Sequence, residues 1–281
     1  MDYGVSMAVT AYSMGPAAFA AAAEERGFES LFVPEHSHIP SSRSSPWGGG
    51  DTLPQVYYDM MDPFVALGAA AAATSRIKLG TGVCLVVQRD PIQLAKEVAT
   101  LDQISQGRVL LGIGAGWNAE EMADHGTAFR SRFRLMRDRV EAMSAIWRED
   151  EPFFESEFVS FPPMRTWPKP MQLPRPPVLM GGAFPHAAKR AVDYADGWIP
   201  LTGRGHDLSV EIPKFRALAK EAGRDPDALP VTAFLAPKDP GELAKLGDVG
   251  AARAVFMLAP ESAAEILPKL DRLAQLAGQV G

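Results

Sequence analysis

Short β-branched or apolar runs alternate with amphipathic helical stretches along the whole chain. The runs fall at residues 4–9, 30–34, 77–85, 109–113, 178–181, 197–201, 231–235 and 254–258, and each precedes a segment able to form a helix. The first helix is expected to open at Gly15-Pro16, bury Phe19, Ala22 and Ala23, and stop at Gly27. Proline near a helix start and glycine just past its end are the usual boundary residues. A second helix begins after Asp62-Pro63 and runs through Phe64-Val65-Ala66-Leu67 into an alanine tract. The clearest helical period joins Phe133, Met136, Val140, Met143 and Trp147. Arg130, Arg132, Arg134, Arg137 and Arg139 share that stretch and read as a solvated helix face rather than an anion site.

Eight strands, each followed by a helix, predict an α/β fold of the closed (β/α)₈ type, a TIM barrel forming one domain over residues 1–281. An open doubly wound sheet would want a glycine-rich dinucleotide turn after its first strand, and Ala11-Tyr12-Ser13-Met14-Gly15 is not one. Two segments interrupt the alternation. Residues 38–58 form a long Ser-, Pro- and Gly-rich loop, and residues 151–177 read as a short hairpin followed by a proline-rich connector. Both are expected as insertions in the loops after strands two and four, on the C-terminal face where barrel enzymes keep their chemistry.

Composition narrows the classes. Hydrophobic residues make up 47% of the 281, enough for a sizeable core. The net charge of −6 gives no footprint for nucleic acid or an anionic membrane. The start, Met1-Asp2-Tyr3-Gly4, has no basic segment of the kind that opens a signal peptide, so a cytoplasmic protein is expected. Cys84 is the single cysteine and forms no internal disulfide.

Candidate chemistry is sought at the strand ends. These carry Pro34-Glu35-His36-Ser37-His38, Gly80-Thr81-Gly82-Val83-Cys84-Leu85, Gly112-Ile113-Gly114-Ala115-Gly116-Trp117-Asn118, Met180-Gly181-Gly182-Ala183 and Thr202-Gly203-Arg204-Gly205. The glycines are expected to let a flat or phosphorylated ligand approach the backbone, and Gly181-Gly182 opens onto a helix whose free N–H groups suit a phosphate. His36-x-His38 has the spacing of a metal pair. Even with His186 added the ligand set is incomplete, and no metal is expected. No lysine ends a strand and no Gly-x-Ser-x-Gly turn is present, which disfavours Schiff-base and nucleophile-elbow chemistry.

Together these stretches make the chain resemble the luciferase-like monooxygenase superfamily, and within it the group that uses coenzyme F420. The resemblance also rests on Leu31-Phe32-Val33-Pro34-Glu35-His36, on Asp102-Gln103-Ile104-Ser105-Gln106-Gly107-Arg108, on the run from Leu111 through Glu120 and Glu121, and on Trp167-Pro168-Lys169-Pro170. It implies a (β/α)₈ barrel with the cofactor in its mouth, and a cis peptide at Gly82–Val83 forming a bulge behind the ring system. Glu35, Leu85, Ala115, Gly116, Trp117 and Glu120 would wall the cofactor, and Gly181, Gly182, Ala183 and His186 would take its phosphate. Thr202 and Arg204 match a stretch that contacts substrate in the sugar-phosphate dehydrogenases of the group. Those enzymes carry a glutamate proton acceptor where this chain has Trp117, which argues against sugar-phosphate oxidation and for a flat or apolar substrate. His36 is assigned as general acid/base, with Glu35 orienting it or bonding the ring. The alternatives are an FMN-dependent monooxygenase on the same scaffold and a cofactor-binding barrel without turnover. The resemblance also implies a homodimer, paired through helices near the alanine tract.

Overall fold

The computed structural model describes residues 1–203 and 205–280. Eight parallel strands form the barrel: β1 (Asp2–Met7), β2 (Ser30–Val33), β3 (Lys78–Thr81), β4 (Val109–Gly114), β5 (Val178–Gly181), β6 (Gly197–Ile199), β7 (Thr232–Phe234) and β8 (Arg253–Leu258). They neighbour one another in chain order, and β8 pairs back onto β1. Parallel bridges Trp198↔Val231 and Leu201↔Phe234 join the β6 and β7 segments and close the ring. The helices outside are α1 (Pro16–Glu25), α2 (Pro63–Ala72), α3 (Pro91–Ser105), α4 (Arg132–Arg148), α5 (His186–Tyr194), α6 (Leu208–Glu221), α7 (Pro240–Asp248) and α8 (Ala263–Val280). The fold is a (β/α)₈ barrel.

Local signals explain the elements. Prolines open α1, α2 and α3, where their missing N–H costs nothing. Asp62 and Asp90 cap α2 and α3 by accepting from the two N–H groups that follow each proline. The strands are apolar on successive residues because both faces are covered. One face packs on the helices. The other fills the barrel with Phe32, Leu110, Leu179, Ile199, Phe234 and Val255, all nearly inaccessible. Each such side chain stabilises the fold by roughly 1.5–3 kcal/mol relative to exposure.

The third strand differs from the expected single run over 77–85. It stops at Thr81, the Gly82–Val83 peptide is cis, and Cys84–Leu85 pairs again with β4. Gly80 faces Leu110 while Cys84 faces Ile113, so four steps on one strand match three on the other. This is a bulge.

Most of the strand-end glycines pack closely against groups inside the protein. A Cβ on Gly114 or Gly181 would meet a Val83 methyl at 2.7 or 2.8 Å, and one on Gly82 would meet the Phe234 ring at 2.8 Å. One on Gly80 would overlap the Phe32 ring, and one on Gly112 the Thr81 carbonyl oxygen. These glycines give neighbouring barrel groups the room to pack against the strand ends.

The second insertion lies elsewhere than predicted. It follows α4, on the return to β5. Its connector is bound at the N-terminal end of the barrel, where Asp102 accepts from the N–H groups of Met171 and Gln172 at 2.7 and 2.9 Å. The Gln172 amide donates to the Val109 carbonyl at 2.9 Å. Helix α4 runs from mouth to base, so a segment leaving its end cannot reach the mouth directly. The Asp102–Arg108 motif is a brace on this face: Arg108 donates to carbonyls of Ala71, Thr74, Ile77 and Ser105.

Candidate active site

The loop after β2 and the turn after β4 meet at the barrel mouth. Asn118 caps a short helix (Ala119–Asp124) by accepting from the N–H groups of Glu120 and Glu121 at 3.2 and 3.1 Å. That cap aims the fully buried Glu121 inward. One Glu121 oxygen lies 2.8 Å from His36 Nδ1, and the other accepts from the Ser37 N–H at 3.0 Å. On the far side of the imidazole, Trp117 Nε1 donates to His36 Nε2 at 3.3 Å. These partners assign the tautomer: the proton sits on Nδ1 toward Glu121, and Nε2 is the acceptor. Burial by itself would raise the Glu121 carboxyl. The hydrogen bond from His36, with the Ser37 N–H, outweighs it and holds the group below the usual carboxylate range.

The first insertion completes the wall. Its short helix (Val56–Asp59) places the Tyr57 ring 5.3 Å from His36 and 6.3 Å from Trp117, centroid to centroid. Trp47 packs edge-on against Tyr57 at 5.7 Å and donates its indole N–H to the Tyr57 hydroxyl at 3.1 Å. Aromatic edges therefore surround the imidazole on the solvent side.

The structure separates several residues that the sequence grouped together. Glu35 does not touch His36. Its two oxygens accept from the Leu85 N–H and from Arg89 Nε, each at 2.6 Å. Successive residues of extended chain point to opposite sides, so Glu35 pins the segment beyond the bulge while His36 faces the mouth. Arg89 continues this network outward to Asp62 and Glu97. Glu120 is directed to the insertion: it accepts from the N–H groups of Ser44 and Ser45 at 2.6 and 3.0 Å and from the Ser42 hydroxyl. These bonds, the Ser45 hydroxyl foremost, hold its carboxyl at about 2. A helix turns about 100° per residue, so adjacent Glu120 and Glu121 point in different directions. Leu85 and Ala115 are buried beneath the turn. Gly116 has φ +73°, a conformation that favours glycine.

Gly181, Gly182 and Ala183 lead into α5, which begins at His186. Gly182 has φ +126°, and a Cβ there would meet only Ala187. Gly182, Ala183 and His186 are exposed beside the first-turn N–H groups, so backbone donors and open space coincide. Thr202 is tied to β7: its N–H donates to the Phe234 carbonyl at 2.8 Å and its hydroxyl to that of Leu235. Arg204 lies outside the described residues. His38 does not bond His36; its ring nitrogens meet Ser37 and Asp124. Among the described residues, no group of three or more His, Cys, Asp or Glu is placed to hold a metal.

Sequence reasoning missed Glu121, Tyr57 and Trp47. The Asn118 cap was the available signal for Glu121, because it sets which of two adjacent glutamates turns inward.

Comparison with known proteins places this geometry. An uncharacterized protein of Mycobacterium tuberculosis is 41% identical over 279 residues, covering 98% of each chain. An F420-dependent glucose-6-phosphate dehydrogenase of Kineococcus radiotolerans is 32% identical over 212 residues, which span 73% of this chain and 58% of that protein. Among solved structures, an F420-dependent secondary alcohol dehydrogenase shares the fold with a TM-score of 0.78 at 20% identity, covering 100% of this chain and 99% of that one. The FMN-bound oxygenating constituent of the Pseudomonas putida 3,6-diketocamphane monooxygenase does so with a TM-score of 0.66 at 20% identity, over 89% of this chain and 71% of that one. Residues 16–237 match the luciferase-like monooxygenase profile, and with the barrel and its mouth as described, the chain belongs to that family.

Proposed function

We propose that this protein is a coenzyme F420-dependent oxidoreductase that transfers a hydride between the deazaflavin and a small, flat or apolar organic molecule. The observation that carries the reading is the Glu121–His36–Trp117 arrangement, a neutral imidazole with its acceptor nitrogen at the mouth. The F420-dependent relatives support it. The residues present fit a phosphate-bearing cofactor: Gly182 and Ala183 leave an open approach to the α5 N-terminus. Gly181, Gly182, Ala183 and His186 would hold the phosphate, and Val83 with Gly82 would back the ring. When bound, the deazaflavin gives or accepts a hydride at its C5, a two-electron step that needs no oxygen.

The chain's own part is to place the substrate and move one proton. A substrate hydroxyl takes the place of the Trp117 N–H at His36 Nε2 and loses its proton to that nitrogen as the carbon is oxidised. In reduction the same nitrogen returns the proton to the carbonyl oxygen. Glu121 stabilises the imidazolium that oxidation forms and reduction starts from, and keeps the ring oriented. Tyr57, Trp47 and Trp117 wall the substrate and limit water.

The FMN reading is supported by the FMN-bound neighbour on the same fold. Fluorescence titration with both cofactors tests the choice. A tighter constant for F420 is expected, and a tighter one for FMN would reverse the assignment. Binding without turnover of any alcohol or ketone would favour the non-catalytic barrel.

A cytoplasmic setting and a homodimer belong to the same proposal. No helix among the described residues is long and apolar enough to cross a membrane. Helices α2 and α3 expose Val65 (75%) and Ile104 (55%) along a groove of mainly apolar lining, the face through which two copies would pair. Light scattering should return twice the 30.3 kDa chain mass, and a monomer mass at micromolar concentration would reject the pairing.

A further inference from the structure

The Glu121–His36 pair continues outward into a row of groups that the proton transfer does not use. Glu121, Asp124 and His125 stand three and four residues apart, so they share one face of the short helix (Ala119–Asp124), which His125 closes. That face runs from the buried Glu121 to Asp124 and His125 at the surface. The β2 loop lays His36, Ser37 and His38 along it. The Ser37 hydroxyl is the junction. Its oxygen lies 2.7 Å from His125 Nε2 and 2.9 Å from His38 Nδ1. It also lies 3.4 Å from Glu121 Oε1, the oxygen that takes the Ser37 N–H. On its other side His38 Nε2 meets an Asp124 oxygen at 2.9 Å. The neighbouring carboxylates are turned elsewhere, Glu35 to Arg89 and Glu120 to the serines of the first insertion. Tyr57 of that insertion approaches the row at the His36 ring.

Counting donors fixes where the Ser37 hydrogen goes. A hydroxyl has one hydrogen to give and two lone pairs with which to accept. The Asp124 carboxylate only accepts, so His38 Nε2 carries a hydrogen. While His38 and His125 are both neutral, His38 Nδ1 is therefore a lone pair. It takes the Ser37 hydrogen, and His125 Nε2–H donates to the hydroxyl oxygen. Glu121 then receives nothing from this hydroxyl. When both imidazoles are protonated, each donates to the oxygen and fills its two lone pairs. Glu121 is then the one acceptor left among these three for the Ser37 hydrogen. Imidazoles make this change of charge within the physiological pH range.

We propose that Ser37 is a positioning residue that reports the protonation of His38 and His125 to the catalytic pair: acid turns its hydroxyl from His38 to Glu121. The sign of the effect follows. A carboxylate that accepts this bond and faces two new positive charges has less to offer the proton on His36 Nδ1. An imidazolium at His36 is then stabilised less, and His36 stays a free base further into acid. The consequence for catalysis rests on the reading of His36 as the acid/base, and it keeps the oxidation direction working as pH falls.

The test is a pH titration of the full chain, without cofactor, that follows the His36 ring nitrogens by NMR. Wild type is compared with Ser37→Ala, Ser37→Thr and His125→Gln. In Ser37→Ala, His36 is expected to take its second proton about half a pH unit higher than in the wild type. Ser37→Thr keeps the hydroxyl and should restore the wild-type curve. His125→Gln removes a charge at the exposed end of the row and should move the curve the same way as Ser37→Ala. If Ser37→Ala fails to fold, Ser37→Cys takes its place, because a thiol is a weak donor. A second arm measures kcat/KM against pH for alcohol oxidation with F420, whose acid limb should move with the NMR curve. A His36 curve unmoved by loss of the hydroxyl would overturn the proposal, and it would do so even if His125→Gln moved the curve, since charge would then be acting through space. Absence of turnover by the wild type would overturn the functional reading alone, and the NMR comparison would still decide the role of Ser37.

Discussion

The Glu121 carboxylate meets His36 Nδ1 at 2.8 Å across 85 residues of chain. The pair holds the imidazole's other nitrogen as an acceptor toward the mouth. Glu121→Gln keeps the shape but removes the charge that stabilises an imidazolium. Turnover should fall by about 10²-fold, with cofactor affinity within about tenfold, and Glu121→Asp should restore part of the rate. Steady-state kinetics with cofactor titration checks this, and an unchanged kcat in Glu121→Gln would remove Glu121 from the mechanism.

His36 carries the proton in this reading. His36→Ala should lower turnover by about 10²–10⁴-fold while leaving cofactor affinity within roughly tenfold. His38→Ala should cost far less, since His38 is bonded to Ser37 and Asp124 and does not contact the His36 imidazole through a hydrogen bond. Wild-type turnover in His36→Ala would mean that the proton passes through another group or through water.

The barrel's close backbone approaches make a stability prediction. A Cβ on Gly112 would strike the Thr81 carbonyl oxygen, a backbone atom held within the barrel wall. Gly112→Ala should therefore destabilise the fold by about 1–3 kcal/mol or more. Gly15→Ala, with open space around it, should stay within about 0.5 kcal/mol. Chemical denaturation of the two variants makes the comparison, and equal midpoints would contradict it.

At the opposite face, Glu29 receives Arg253 through two bonds of 2.6 and 2.7 Å and pairs with Lys78 at 2.7 Å. Burial would raise this carboxyl, but Arg253 and then Lys78 hold it at about 2. A depressed folded-state value means the stabilisation is complete above the ordinary carboxylate range. It is lost as pH falls toward 2. Acid unfolding followed by circular dichroism should show Glu29→Gln losing stability at pH 7 by up to about 3 kcal/mol, with a shallower further loss below pH 4. Parallel acid curves for variant and wild type would show that the pair contributes nothing.

The local signals of the chain determined the barrel. Eight apolar runs, proline-opened helices and the Phe133–Trp147 period each report which side of an element is covered, and that information lies within a few residues. The same kind of reading located the strand ends and His36. The partners of those residues were decided by closure of the barrel, which brings the β2 and β4 loops together over the mouth. Only that juxtaposition shows that Glu121, not the adjacent Glu35, holds the imidazole. It also shows that Glu120 anchors the first insertion, and that Val83 and two phenylalanine rings pack against the strand-end glycines. The direction of α4 likewise carried the second insertion to the far end. Periodicity encodes the faces of elements. Which side chains meet across those faces depends on strand register, helix phase and the excluded volume of a packed interior, and these exist only once the chain has folded.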